Sequence, residues 1–427
     1  MLKKISTMFV FLLLLAGTSK AQWTYEGAWP DTNYKGGTHG IEVTPDGKIW
    51  TASYYKQNWV SPSGDTLSVS PILIFSADGS HVDTIAIINS GTSIDTLGKG
   101  GSTSGTRGIG KDPDGNILFT SGGPSKMIKI NYQTYEGMGM HAVTETGSSP
   151  TAPSVANDGT IFLGPVVGGG TSAITMYDPE LNYLGNAVLG PPNIARTMEV
   201  APDGNAIYWT PFTGDQTVRI YTRPDEFSDF AMTDSMLTGM SIESSAWNPA
   251  TGLLWVSNDS RGTGPYTHLT WYGVDVTTKA IVDSFTLPSP HPTPSDELPR
   301  GLAFSADGNT AYVGLFGTKY NRLYKFTKGS VGVEELAELP TGYSLSQNYP
   351  NPFNPTTNIK FSIPENGFVS LKVFNTLGQE VATLINEVKS SGTYQVDFNA
   401  SNLASGMYVY TLTSGSVNIS KKMILMK

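Results

Sequence analysis

Six positions carry the strongest chemical suggestion in this chain: His39, Arg107, Thr151, Arg196, Glu243 and Arg300. Each lies six residues ahead of a tight turn, so a repeated hairpin would start every first strand with one of them and gather all six into a ring. Three arginines with one carboxylate at close quarters repel one another unless water, backbone carbonyls or an anion compensates. Two readings follow. Either the guanidiniums bond carbonyls of neighbouring strands, or Arg107, Arg196 and Arg300 hold a carboxylate, phosphate or sulfate bidentately, with His39 and Glu243 as proton-transfer groups. Because the whole chain is acidic, with a formal charge of -9, a local basic set is the more informative.

Other catalytic patterns are missing. The histidines, His39, His81, His141, His268 and His291, stand far apart, and none has the spacing of a zinc ligand set. No serine sits in a G-x-S-x-G elbow between strand and helix, so neither a metal site nor a conventional triad is expected. Long connections at 54–71, 89–106, 258–268 and 287–299 are expected to share one face. Connections above about 12–15 residues are uncommon in compact domains and are often functional. They carry Tyr54, Tyr55, Trp59 and Tyr266, aromatics suited to stacking on sugar rings or anchoring a protein partner. Tolerated surface loops are the plainer alternative.

The elements that must position these residues are hairpins. Six turns recur, at Pro45-Asp46-Gly47, Pro113-Asp114-Gly115, Asn157-Asp158-Gly159, Pro202-Asp203-Gly204, Pro249-Ala250-Thr251-Gly252 and Ala306-Asp307-Gly308. Each joins an apolar run of strand length to a second run rich in β-branched and aromatic residues. A second hairpin follows the first in each of the first five units, turning near residues 76–79, 131–134, 178–181, 223–226 and 276–279. Units of roughly 40–50 residues with four strands are the mark of propeller blades. The sixth unit lacks a fourth strand, and residues 22–29, QWTYEGAW, have no partner of their own. The expectation is an all-β, six-bladed β-propeller closed by this N-terminal strand, which removes an open edge. Composition agrees: 47 Gly, 27 Pro, 11% aromatic and only 15% charged residues suit short strands and tight turns. The glycines of GIEV at 40–43 and GLAF at 301–304 are read as packing residues of crowded innermost strands, since no strand-loop-helix context favours phosphate binding.

Across about residues 22–327 the pattern resembles six-bladed propellers of the NHL and gluconolactonase-like (SMP-30-like) group. That resemblance implies a channel metal held by Glu, Asn and Asp, with one blade reading Asn-Gly-Leu-Ala-Phe-Ser-x-Asp-Gly and a later Asp. Here Arg300 stands at the Asn position, and Gly314-Leu315 follow the second strand where the acid belongs. The chain departs from the metal-binding pattern.

The two termini read as addresses. Residues 1–21 place Lys3 and Lys4 before an apolar run and end in Ser19-Lys20-Ala21, the form of a signal peptide, too short for a spanning helix. With no cysteine, neither a disulfide nor a thiolate zinc site holds the exported protein together. The acidic balance argues against nucleic acid as a partner. A propeller over 22–328 is followed by a linker at 329–342 and a small immunoglobulin-like β-sandwich over 343–427, with strands expected at 369–375, 393–399, 407–412 and 417–427 after a proline-punctuated lead-in. This tail carries Asn348-Tyr349-Pro350-Asn351-Pro352-Phe353-Asn354-Pro355, then Val373-Phe374-Asn375-Thr376-Leu377-Gly378-Gln379-Glu380-Val381, then Gly406-Met407-Tyr408 and the basic Lys421-Lys422. These motifs, in this order, closely resemble the type A C-terminal sorting domain of the type IX secretion system. The resemblance implies the type IX secretion machinery as a partner, and a protein released from or attached to the outer surface of a Gram-negative cell, with no transmembrane segment in the mature chain. The functional expectation is an exported propeller that binds a carbohydrate, an anionic ligand or a protein partner through its loop-rich face. The alternative is an extracellular lyase or hydrolase acting on an anionic or carbohydrate substrate at the channel.

Overall fold

The closing glycines of the six turns, Gly47, Gly115, Gly159, Gly204, Gly252 and Gly308, all have φ between +66° and +92°, a conformation that side chains with a Cβ rarely adopt. At the first turn Gly47 N–H donates to Thr44 O at 2.8 Å and Thr44 N–H to Lys48 O at 3.0 Å, which sends the chain back beside itself. The structure is a computed structural model that describes residues 22–30, 37–61, 63–90, 93–98, 105–260, 264–288, 298–317, 320–329, 342–389, 392–415 and 417–426. The expected signal peptide and residues 330–341 of the expected linker lie outside the described residues. All described secondary structure is β, and no helix among these residues is long and apolar enough to cross a membrane. Two compact units are present, one within Ala21–Ser330 and one within Val331–Lys427.

In the larger unit the described residues form six four-stranded antiparallel sheets. The first contains Thr38–Val43, Ile49–Ser53, Ile72–Phe75 and His81–Ile85. Four more follow in strict sequence order within 106–142, 154–189, 195–236 and 245–286. The last combines Pro299–Phe304, Thr310–Leu315 and Leu323–Lys328 with Trp23–Trp29, which pairs antiparallel with Leu323–Lys328. First strands of successive sheets lie side by side, and Thr38–Val43 also lies beside Pro299–Phe304. Side chains tie the sheets together: Thr38 Oγ1–H donates to Arg322 O at 2.6 Å and Thr106 Oγ1–H to Ser53 O at 2.9 Å.

Glycine permits the close approach of the first strands. A Cβ on Gly40, which has φ of +124°, would sit 2.7 Å from Ile109 N, and one on Gly108 would sit 2.4 Å from the Ala152 Cβ. The core lies between facing sheets. Trp23 of the N-terminal strand packs edge-on against Trp255 at 5.6 Å between ring centroids, and against Phe285 at 5.0 Å.

Two connections that the sequence presents as plain loops contain hairpins. Gln57–Val60 pairs with Thr66–Val69, and Ile87–Asn89 pairs with Ile94–Thr96. Short apolar-polar alternations on either side of Ser/Gly turns account for both.

The smaller unit is a pair of facing antiparallel sheets around one apolar core. Its lead-in requires a correction. Thr356–Ile363 is an eight-residue strand paired along its whole length with Gly392–Asn399, and Glu380–Lys389 is a further strand. Pro355 and Pro364 bound the first of these rather than interrupt it, so no ladder hydrogen bond is lost.

Replacing Trp23 by Ala removes the aromatic contacts through which the N-terminal strand reaches the neighbouring sheet. The expected loss is about 3–5 kcal/mol of unfolding free energy. Urea unfolding of wild type and Trp23→Ala checks this, and coincident transitions would dissociate that strand from the stability of the unit.

Candidate functional site

The first strands of the six sheets wall one cavity of about 500 Å³. A regular strand turns alternate side chains to opposite faces, and in Ala195–Val200 this sends Thr197 and Glu199 to the cavity while Met198 enters the core. Arg196 breaks that alternation. Ala195 faces Pro211 and Thr197 faces Thr210, so Arg196 is an extra residue with no opposite partner, a β-bulge that turns its side chain to the cavity as well. Arg107 and Arg300 occupy the same bulged position in their sheets, and His39 with Gly40 spans the corresponding irregularity in the first. Four of the six sequence-selected positions are therefore aimed by the same device.

Five of the six meet at the cavity: His39, Arg107, Arg196, Glu243 and Arg300. Thr151 does not join them. It is fully buried, its hydroxyl accepts from Gly164 N–H at 3.0 Å and donates to Ala152 O at 3.0 Å, and Ala152 supplies the wall there. Glu243 and Arg300 form a buried ion pair through Arg300 Nε and Glu243 Oε2. Arg300 Nη1–H also donates to His39 Nε2 at 3.2 Å. Burial, reinforced by Arg300, Arg196 and Arg107, holds the His39 pKa well below its usual value, so the ring is neutral at physiological pH and accepts from Arg300.

The other two arginines differ. Nε of Arg107 and Nε of Arg196 are buried and have no hydrogen-bond partner among the described residues. Burial and the neighbouring Arg300 lower Arg196 to about 10, still a cation at neutral pH, and burial likewise lowers Arg107. Aromatic faces cover all three guanidiniums. Arg107 lies 5.7 Å from the Tyr54 ring centroid, Arg196 4.9 Å from Phe212 and Arg300 4.3 Å from Phe316.

Of the loop aromatics, Tyr54 and Tyr55 join this cluster, each with its ring centroid 5.1 Å from that of Phe316. Trp59 lies in the hairpin strand Gln57–Val60 opposite Leu67, and Tyr266 packs on Tyr272 at 5.7 Å; neither lines the cavity. Sequence reasoning missed Phe212 and Phe316, although each immediately follows a second strand, as Tyr54 does.

It also missed a second level of charge, three or four residues farther along the first strands. There Glu42 pairs with Lys111 at 3.6 Å, and Lys111 Nζ donates to Val43 O at 2.6 Å. Glu199 accepts from Ser245 Oγ at 2.8 Å and Ser154 Oγ at 3.0 Å, and burial pushes its pKa up to about 7. The signal was a carboxylate three residues after His39 and after Arg196. No group of three or more His, Cys, Asp and Glu side chains is placed to hold a metal ion among the described residues.

In the smaller unit the segment 351–355 forms a latch. Phe353 is buried, its N–H donates to Ile424 O at 3.0 Å, and Met426 N–H donates to Phe353 O at 3.0 Å. Asn351 Oδ1 accepts from Ile424 N–H at 2.9 Å, and Pro355 O accepts from Ala400 N–H at 2.8 Å. Pro352 and Asn354 flank Phe353 in this segment. Gly378 closes a turn at φ of +75°, and Tyr408 Oη–H, beside Gly406, donates to Ala404 O at 2.8 Å. Lys421 and Lys422 stand exposed on the last strand, Val417–Leu425.

Residues 347–426 match the model of the secretion system C-terminal sorting domain. No curated protein matches the chain. Among solved structures it is similar to PorZ, an essential bacterial surface component of the type-IX secretion system of Porphyromonas gingivalis, at 16% identity over 91% of this chain and 51% of that one, with a TM-score of 0.41. The chain thus spans about half the length of PorZ. It is also similar to virginiamycin B lyase from Staphylococcus aureus, at 14% identity over 72% of this chain and 99% of that one, with a TM-score of 0.44. A gluconolactonase from Xanthomonas campestris matches at 14% identity over 73% of this chain and 96% of that one, with a TM-score of 0.45. The sorting domain marks the protein for export by the type IX system, so it is secreted or attached to the outer surface of a Gram-negative cell.

The Arg300–Glu243 pair generates a test of the cavity wall. Arg300→Met leaves a buried carboxylate without its cation and is expected to cost about 3–5 kcal/mol. Adding Glu243→Gln should restore part of that loss. A double-mutant cycle from chemical unfolding measures the coupling, and additive single effects would refute the pairing.

Proposed function

We propose that the six sheets are the blades of one β-propeller, closed where the N-terminal strand completes the last sheet, and that this exported protein binds an anionic ligand in the central cavity. Ring closure is supported by the neighbourhood of Thr38–Val43 and Pro299–Phe304 at the two ends of the sheet series. One observation carries the binding reading: Nε of Arg107 and Nε of Arg196 are buried beside the cavity without a hydrogen-bond partner among the described residues. A buried donor left unpaired costs about 1–3 kcal/mol, and more is lost when the group is charged. Arg300 already serves structure, since Glu243 and His39 both bond to it. Arg107 and Arg196 therefore supply the surplus positive charge, and bidentate capture of a carboxylate, sulfate or phosphate fits their planar forks.

The aromatic cluster of Tyr54, Tyr55 and Phe316 joins the loop-rich face to this charged set, giving the ligand an apolar or sugar-like surface to stack on. The lyase or hydrolase alternative assigns proton transfer to His39 and Glu243. Both are engaged by Arg300, which favours binding.

Calorimetry of the secreted protein with galacturonate, sulfate and phosphate tests this reading. At least one anion is expected to bind, with affinity reduced tenfold or more in Arg107→Gln/Arg196→Gln. Silence toward all three anions, or equal affinity in the double variant, would overturn it. A separate expectation concerns export. Deleting residues 406–427 removes two strands and the partner of Phe353, so the truncated protein should accumulate in the periplasm. Fractionation of cells and medium by immunoblot checks this, and truncated protein outside the cell would count against the sorting role.

A further inference from the structure

The cavity holds unsatisfied charge of both signs, kept apart. Arg107 and Arg196 reach it at the bulged starts of their strands, while Glu199 reaches it three residues beyond Arg196. At about 3.3 Å per residue, the backbone positions of Arg196 and Glu199 are roughly 7–10 Å apart once the bulge is allowed for. Both belong to one strand whose partners are fixed, so neither can travel to neutralise the other.

Glu199 is held by hydroxyl donors on both of its oxygens. Ser245 donates to Oε1 and itself accepts from Thr197 Oγ1 at 2.6 Å. Ser154 donates to Oε2 while accepting from Val200 N–H at 2.9 Å. The Val200 N–H behind Ser154 commits that hydroxyl to the carboxylate, and further lone pairs remain on both Glu199 oxygens. Glu42 has Lys111 as its cation, but Glu199 has none among the described residues. A buried carboxylate without a cation is costly. Burial and the nearby Glu42 raise its pKa for that reason.

We propose that the cavity takes a two-ended ligand, an extended amino acid or short peptide whose anionic terminus docks on Arg107 and Arg196 and whose ammonium group reaches Glu199. This rests on the anion-binding reading and goes beyond it by naming the second charge. The cavity volume of about 500 Å³ suits a molecule of that length. Hydrogen bonds from the ammonium would use the free lone pairs of Glu199 and replace the missing cation.

Acetylation of the amine separates the two ends experimentally. Calorimetry of the secreted protein compares 6-aminohexanoate and triglycine with 6-acetamidohexanoate and N-acetyltriglycine, with sulfate as the anion control. For at least one pair, the free amine is expected to bind tenfold or more tighter than its acetylated form. In Glu199→Gln that ratio should fall to near one with the affinity of the acetylated form unchanged. Equal affinity of amine and acetylated forms in the wild type overturns the proposal without recourse to any variant. So does a ratio that survives Glu199→Gln. Sulfate binding with no preference for an amine removes the two-ended ligand and leaves the anion reading standing; silence toward every probe, sulfate included, removes both.

Discussion

Crowding of six first strands around one cavity is the constraint on which the rest of the larger unit depends. Where neighbouring backbones approach until a Cβ would clash, only glycine fits. Gly40 against Ile109 and Gly108 against the Ala152 side chain show how little room remains. Such packing costs backbone entropy in the unfolded chain, and the apolar layers between sheets offset it. The N-terminal strand belongs to this economy: without Trp23–Trp29 the edge of Leu323–Lys328 would stand open, with Trp255 and Phe285 losing an aromatic neighbour.

The same crowding explains the bulges. A first strand of six residues, the length of four of them, offers about three side chains to the cavity if it is regular. One extra residue adds a long side chain at its start without disturbing the alternation beyond it. Arg107, Arg196 and Arg300 are those extra residues, and aromatic faces from Tyr54, Phe212 and Phe316 lie against their guanidiniums. Charge is thereby brought into a confined space through geometry that also supplies partial compensation.

That compensation is uneven. Arg300 is held by Glu243 and His39, and it holds them in return, so this trio behaves as wall. Arg107, Arg196 and, farther along, Glu199 form no ion pair among the described residues, so they are the groups with unspent interaction capacity. In the smaller unit the logic is different. There an irregular, proline-rich segment is fixed by backbone hydrogen bonds from Phe353 to the last strand, which makes the fold of the sorting domain depend on its C-terminal residues.

Sequence alone determined the repeating turns, because the left-handed glycine that closes each one is a local requirement. It determined the second hairpins and the sorting motifs on similarly local grounds. It also placed His39, Arg107, Arg196, Glu243 and Arg300 together by counting back from those turns. Thr356–Ile363 in the smaller unit escaped notice because Pro355 and Pro364 at its ends read as breaks, and Glu380–Lys389 was not marked as a strand. Tertiary structure decided the rest. Only the fold could pair Arg300 with Glu243 and His39, which lie far away in the chain, or set Tyr54 over Arg107. Only the bulges could put Arg196 and Glu199 on one side of the same strand, since an odd separation in a regular strand sends them to opposite faces. Thr151 turned its hydroxyl into the backbone for a reason equally invisible in sequence: it accepts from Gly164 N–H, a contact that only the fold brings about.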